Sequence, residues 1–512
     1  MLYDLLLALY FVGPIVGLWF IFKKAGVAPW KAVVPLYNIV VWIKVCGKSW
    51  KWYIYFLVPA LNIFTYLLMV VETAKVFRRY GFWEQFFAVV FPWVYLPILG
   101  LSKGTTYHDP KTDPPQKVGE VRDWLDAIVF AIVAAVIIRG FTCELYNIPS
   151  SSMEGSLMTG DYLLVSKLAY GPRVMMTPLA LPLMHNTIPG TGDKVESYLR
   201  WPQLPYHRYP GLSKVKRYDA VVFNFPAGDT TLKASPGNQY TYYDAVRNNS
   251  QELLRDGWFV RPVDRRTNYI KRCIGLPGEN LQIVNQQVFI DGKPIANPKD
   301  AQTTYGFLTN SRGLPPQMIQ QELDRLGLSY QDIENAGPYV VDSTGVLFAY
   351  DVPLNKRQLY ALEQWAQAQG VRIVADTMPA TDDINLFPHR MGQMQSVDNF
   401  GPVHIPAKGE VLELNDSTLP MYRRLITVYE YNTLEVKAGK IFINGEQTDR
   451  YTVKQNYYWM MGDNRHHSQD CRFWGFVPED HIVGKAKWVL FSRDKDRGIF
   501  RKGRWFIDAC AY

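Results

Sequence analysis

Three consecutive serines stand at the end of an apolar run, in "NIPSSSMEGSL" (147–157). A serine hydroxyl is a poor nucleophile at neutral pH and needs a base held against it by the fold. Three kinds of base are conceivable. A lysine three residues on is absent, because Ser150, Ser151 and Ser152 are followed at that spacing by Met153, Glu154 and Gly155. Histidine is offered by His466 and His467 in "GDNRHHSQDCR" (462–472), beside carboxylates that would suit a Ser-His-Asp arrangement. The third base is a lysine kept neutral by burial. Lys271 lies in an apolar strand pattern, "TNYIKRCIGLPGEN" (267–280), ahead of a Gly- and Pro-bearing turn, and burial lowers a lysine pKa by roughly 3–5 units. A metal set drawn from Asp463, His466, His467 and Asp470 is the weaker reading, since adjacent histidines in a charged loop are usually solvated. No metal or other cofactor is expected.

These groups need a scaffold, and after residue 160 the pattern is mostly strand. "DYLLVSK", "DAVVFNF", "NYIKRCIGL", "LQIVNQQVFIDGKPI", "LEVKAGKIFINGEQT" and "AKWVLFS" are short, β-branched or alternating, and bounded by Gly, Asn or Asp. "FIDGKP" and "FINGEQ" carry the Asp-Gly and Asn-Gly hairpin signal. Helical patterns at 315–327 and 355–370 mark an inserted α+β cap subdomain over 295–405. The expected fold is a mainly β catalytic domain, 143–294 completed by 406–512, with that insert between its halves.

The first 145 residues differ. The chain has 512 residues, 48% of them hydrophobic, and nearly all the long apolar runs are here. Segments 2–22, 52–71, 82–101 and 124–141 read as α-helical membrane spans. The first ends in Lys23 and Lys24 and lacks the leading charge of a cleavable signal. Residues 1–102 thus form a multi-span module, 103–121 a Pro- and Lys-rich linker, and 122–142 the anchor. Lys103, Lys111, Lys117 and Arg122 ahead of the anchor put its start in the cytoplasm and the β domain outside. Four spans leave "KVFRRYG" (75–81) outside, against that same rule. The net charge is +8, with no basic stripe interleaved with aromatics, so no nucleic-acid partner is expected. Five scattered cysteines form no C-x-x-C pair and indicate neither a zinc ribbon nor a disulfide framework.

In chain order, "IPSSSM", "GDYLLVSKLAYG", "RYDAVVFNFP", "YIKRCIGLPGE" and "GDNRHHSQDCRFWGFVPEDHIVGKA" resemble the successive boxes of the bacterial type I signal peptidase family, over about 123–490. The form is similar to members with a large insertion before the last box, and residues 26–50 resemble a small membrane module sometimes fused to them. The resemblance implies a Ser-Lys serine endopeptidase of the cytoplasmic membrane. Its partners would be secretory preproteins cut after small residues (A-x-A), the lipid bilayer and the export translocon. It implies Ser152 as nucleophile and Lys271 as general base. Ser150 and the Ser152 amide would form an oxyanion hole, and Ser468 would orient the lysine. Asp463, Arg465, Asp470 and Arg472 would make a buried ion-pair scaffold, with Gly462 permitting close packing. Tyr146, Ile148, Met153, Leu157 and Tyr269 would line the substrate pockets. The chain departs from the family pattern at His466-His467 and at Cys471. Self-cleaving repressors share this core but carry a DNA-binding module where this chain has apolar spans. A non-enzymatic membrane scaffold would need no Ser152–Lys271 pairing.

Overall fold

The computed structural model describes the chain apart from residues 1–8, 11, 58–60, 114–118, 120–123, 125–127, 129–130, 133–134, 137, 192–194, 234–239, 309–320, 323–324, 326–351, 495–497 and 511–512. It divides into two units, Met1–Ile138 and Arg139–Tyr512.

The first unit is helical, with helices Pro14–Lys24, Tyr37–Val45, Lys51–Leu57, Leu61–Val76, Phe82–Val90 and Pro92–Leu101. Its core joins Ile21, Phe22, Met69, Val70 and Leu96, and Trp42 Nε1 donates to the buried Thr73 Oγ1 at 2.7 Å. Among the described residues no single helix is long and apolar enough to cross a membrane. The expected span 82–101 is two helices bent by 119°. Pro92 is the physical reason: it brings no N–H and bars helical geometry at Phe91, which sits at φ −127°, ψ 55°. The expected spans 2–22, 52–71 and 124–141 fall partly outside the described residues, the last for much of its length.

The second unit is built on an eight-stranded antiparallel sheet. Its order is Cys143–Asn147, Asp161–Ser166, Ile482–Ser492, Ala220–Asn224, Asn268–Gly275, Tyr457–Met461 and Val477–Pro478, with Ile507–Asp508 added to Ile482–Ser492. Ala220–Asn224 is buried throughout. Its alternate side chains serve two apolar clusters: Ala220 and Val222 join Met153, Leu157 and Val165, while Val221 and Phe223 join Cys273, Met460 and Trp459. Strand alternation puts these on opposite faces. The acids that open the sheet's boxes are tied inside it. Asp161 takes Arg504 at 2.5 Å, and Asp219 accepts from Tyr170 Oη at 2.7 Å and pairs with Lys485.

Smaller sheets flank this one. Asn280–Val284, Gln287–Ile290 and Lys293–Pro294 form one meander, and Leu434–Lys437, Lys440–Ile443 and Glu446–Gln447 another. The expected hairpin turns have both central residues at positive φ: Asp291 49° and Gly292 74°, Asn444 52° and Gly445 86°. Asn285-Gln286 turns the same way without a glycine.

Within 295–405, Thr303–Leu308 pairs with Val352–Leu354 and Arg372–Ala375. Helix Lys356–Ala368 packs Leu362 and Ala366 on Val352 and Leu354. Its start is fixed by Asn355, whose Oδ1 accepts from Gln358 N (2.9 Å) while Gln358 Oε1 accepts from Asn355 N (3.0 Å), a capping box. Most of the helix expected at 315–327 lies outside the described residues. The end of the insert returns to the main core, where Phe387 and Phe400 pack against Trp459.

Candidate active site

Ser152 rides on a tight turn at the end of a strand. Ser150 is extended (φ −129°, ψ 158°) and Ser151–Met153 is one 3₁₀ turn. The turn is pinned by its apolar side, since Met153 and Leu157 are buried in the cluster that holds Ile148. It is pinned as well by its carbonyls: Asn464 N donates to Ser152 O (3.2 Å) and Asn464 Nδ2 to Ser151 O (3.3 Å).

Lys271 comes from the middle of Asn268–Gly275, opposite Val221 in the register. It is 4% exposed, and its Nζ donates to Ser152 Oγ at 2.5 Å. Burial pushes the ammonium pKa down from the ordinary lysine range to about 8, against Asp470 and Asp463, which act to raise it. At that value about a tenth of the amine is free at pH 7. The ring of Tyr269 lies below the amine, 5.6 Å from Nζ to centroid. It stacks on Phe225 (4.4 Å, 8°) and meets Trp474 edge-on at 5.6 Å.

Behind the lysine the acids are neutralised one by one. Asp463 is gripped by Arg272, with Nε at 2.8 and 2.9 Å and Nη2 at 2.6 Å from its oxygens, both side chains 0% exposed. Asp470 takes Arg472 through Nε (2.9 Å) and Nη2 (2.8 Å) and accepts from Gly462 N (3.0 Å). These bidentate pairs satisfy the lone pairs that burial would otherwise leave bare. Arg465 departs from the expected scaffold. It makes no ion pair among the described residues, sets Nη1 3.4 Å from Met461 Sδ, and burial pushes its guanidinium down to about 10. Its Nε and Nη2 have no hydrogen-bond partners among the described residues.

Gly462 sits where the expectation put it, in a place with no room. A Cβ there would overlap Ser468 Oγ and the Ser152 carbonyl oxygen. Ser468 is therefore beside the serine turn, but its buried hydroxyl has no hydrogen-bond partner among the described residues, Lys271 included. Ser150 is exposed, and its side chain does not cap the turn.

Tyr146, Ile148, Met153 and Leu157 gather in one apolar cluster with Ile270. Ile148, Met153 and Leu157 are buried, while Tyr146 donates its hydroxyl to Glu144 Oε2 at 2.7 Å. Tyr269 stands apart from them, on the other face of its strand with Phe225 and Trp474. A cavity of about 690 Å³ opens against Phe225 and Trp474 and is also lined by Gln469 and Phe473, but not by Ser152 or Lys271.

Neither histidine is seen at the serine. His466 Nε2 lies 2.9 Å from Asp398 Oδ1, and its Nδ1 faces Thr304 N at 3.4 Å; His467 is exposed. Cys471 accepts from Met460 N at 3.1 Å, and burial holds its thiol far above the usual range. Sequence reasoning missed Arg272 and Asn464. Arg272 is the residue after the lysine, and 462–472, with two acids and two arginines of its own, gave no signal for it.

The signal peptidase model (peptidase S26) matches residues 121–341 and 402–491, and a family of unknown function, DUF5684, matches 30–110. Signal peptidase I of Haemophilus influenzae is 23% identical over 456 residues, 89% of this chain and 92% of that protein. Signal peptidase I of Buchnera aphidicola subsp. Baizongia pistaciae is 22% identical over 384 residues, 73% and 78% of the two chains. Signal peptidase I of Aquifex aeolicus is 54% identical over a short stretch of 43 residues, 8% of this chain and 17% of that protein. With the S26 model spanning more than half of the sequence and a serine held against a buried lysine, this chain belongs to the signal peptidase family, peptidase S26, and is a serine endopeptidase.

Proposed function

We propose that the chain is a membrane-bound signal peptidase that removes N-terminal signal peptides from exported preproteins after small residues, with Ser152 as nucleophile and Lys271 as general base. The observation that carries this reading is the 2.5 Å contact between a buried lysine amine and the serine hydroxyl. The free amine of Lys271 takes the proton as Ser152 Oγ attacks the scissile carbonyl. The Ser150 hydroxyl and the Ser152 N–H receive the oxyanion, a class of interaction worth about 10²–10³ in rate. The Lys271 ammonium then protonates the leaving amine, and the acyl-serine is released by a water that Lys271 deprotonates. Asp463 and Asp470 are paired with Arg272 and Arg472, and their pull on the amine, which raises its pKa, is outweighed by burial.

Small-residue specificity follows from packing. Tyr146, Ile148, Met153 and Leu157 gather in one tightly packed apolar cluster, beside which only Ala-sized side chains would find room. The catalytic unit is read as lying outside the cytoplasm, with the 295–405 insert as a cap and the translocon as a supplier of substrate. A bilayer partner is supported by 173–189, where Met175, Leu179, Leu181 and Leu183 are exposed on a loop held by Leu181 N to Ser197 O (2.7 Å), Leu199 N to Leu179 O (2.8 Å) and Thr177 Oγ1 to Asp264 (2.7 Å). The same ladder exposes Leu199 and, at 81%, Trp201.

The test is cleavage of an A-x-A preprotein by membranes carrying each variant. Ser152→Ala and Lys271→Ala should both abolish it, with Lys271→Ala still folded, while His466→Ala and His467→Ala retain it. Near-wild-type turnover in Lys271→Ala, with either histidine variant dead, would replace the dyad by a triad.

A further inference from the structure

Hydropathy treats 52–71 and 82–101 as crossings, but the packing of the N-terminal unit brings both ends of each to one place. Helices Pro14–Lys24 and Pro92–Leu101 run side by side in the same direction. The Cα of Gly13 faces Trp93, that of Gly17 faces Leu96 and Pro97, and that of Gly100 faces Phe20 and Ile21. A Cβ at any of the three would overlap its neighbour, so the glycines set the close approach, as small residues do between membrane helices. The two helices finish together: Lys24 Nζ donates to Leu99 O (3.1 Å), Ser102 O (2.6 Å), Thr105 O (2.8 Å) and Thr105 Oγ1 (2.6 Å).

The same end collects the other helix termini. Tyr107 Oη donates to Val45 O at 2.8 Å, His108 N donates to Val76 O at 2.9 Å, and Arg78 pairs with Asp113. The opposite end is marked by Tyr10, whose hydroxyl donates to Val89 O (2.7 Å) and whose carbonyl accepts from Tyr66 Oη (2.7 Å). Helix Phe82–Val90 therefore leaves the Arg78–Arg79 end, reaches Tyr10, turns through 119° at Phe91–Pro92 and returns to Ser102. The stretch from Val45 to Val76 likewise starts and finishes at the Lys24 end. Ten residues of helix from Pro92 to Leu101 rise about 15 Å, half of a hydrocarbon core of about 30 Å.

We propose that the helix pairs Lys51–Leu57 with Leu61–Val76 and Phe82–Val90 with Pro92–Leu101 are re-entrant hairpins that dip into the bilayer and return, leaving 2–22 as the one crossing ahead of the anchor. Lys23, Lys24, Lys48, Lys75, Arg78 and Arg79 then lie at one end against the anionic cytoplasmic leaflet, in excess over the Glu72, Glu84 and Asp113 that pair with four of them, with the exposed Phe82, Trp83, Phe86, Phe87 and Phe91 in lipid. "KVFRRYG" comes inside, which removes its conflict with the positive-inside rule. The inference rests on the membrane reading of this unit, which fractionation of the unmodified chain tests separately.

The discriminating position is Tyr80, outside in a four-span topology and inside here. Tyr80→Cys, Ser49→Cys and Thr106→Cys chains are treated with a membrane-impermeant maleimide in right-side-out spheroplasts, before and after permeabilisation. The unsubstituted chain is the blank for its five own cysteines, and Gly81→Cys replaces Tyr80→Cys if that variant does not accumulate. The expected result is that all three label only after permeabilisation. Labelling of Tyr80→Cys in intact spheroplasts overturns the hairpin reading alone, as does a Tyr80→Cys that stays unlabelled after permeabilisation while Thr106→Cys reacts. Recovery of the unmodified chain in the soluble fraction overturns the membrane reading with it.

Discussion

In the proposed Ser-Lys dyad, Lys271 would act as base through its surroundings. Burial takes its amine to about 8, so the base is protonated, and useless, over most of the acid range. Activity should therefore climb about tenfold per pH unit below the midpoint and level off above about 8. The check is a profile of kcat/KM against pH on a short A-x-A peptide; an acid limb centred well below pH 7 would belong to another group. Arg272 and Asp463 test the scaffold. Asp463→Asn leaves a guanidinium buried without its counter-charge and should cost about 3–5 kcal/mol in urea denaturation. An Arg272→Met, Asp463→Leu double variant should recover much of that loss. A single Asp463→Asn of wild-type stability would mean that the pair is not formed.

At the scale of elements, the site depends on three pieces of chain meeting without slack. The serine turn, the lysine strand and the last box converge at Gly462, and a methyl group there runs into Ser468 and the Ser152 carbonyl. Gly462→Ala should cost about 1–3 kcal/mol of stability and about 100-fold in kcat through the misplaced serine, with KM much less affected. A variant that unfolds outright, or one that loses only KM, would contradict this account. Strand identities such as Asp161–Ser166 and Asn268–Gly275 were legible because alternation and turn residues are local. The register was not. It sets Met461 against Arg272, and through it decides that Asp463 takes Arg272 and not Arg465. That choice joins residues 191 apart in sequence, where neither propensity nor periodicity has any hold.

At the scale of the whole molecule, the proposed membrane reading is tested by the exposed apolar loop on the catalytic unit. Replacing Met175, Leu179, Leu181 and Leu183 with Ser should weaken binding of the full chain's catalytic face to liposomes and lower preprotein cleavage in membranes several-fold, while cleavage of a short peptide in detergent is unchanged. The basis is the roughly 25 cal/mol lost per Å² of apolar surface no longer buried in lipid. Loss of peptide cleavage as well would make the loop part of the folded core.

The residues able to react were determined by the sequence alone. Ser152, Lys271 and the acids and arginines of the last box stand in ordered motifs, and side-chain identity is all that nucleophile, base and counter-ion require at that level. Hydropathy likewise determined that the long apolar runs fall almost entirely in the first 145 residues. Only the tertiary structure decided that Lys271 is buried and touches Ser152, that His466 is held by Asp398, and that 82–101 folds back on itself. Desolvation, contact and helix direction depend on what the rest of the chain places nearby. Two packings of the same apolar segment have the same hydropathy.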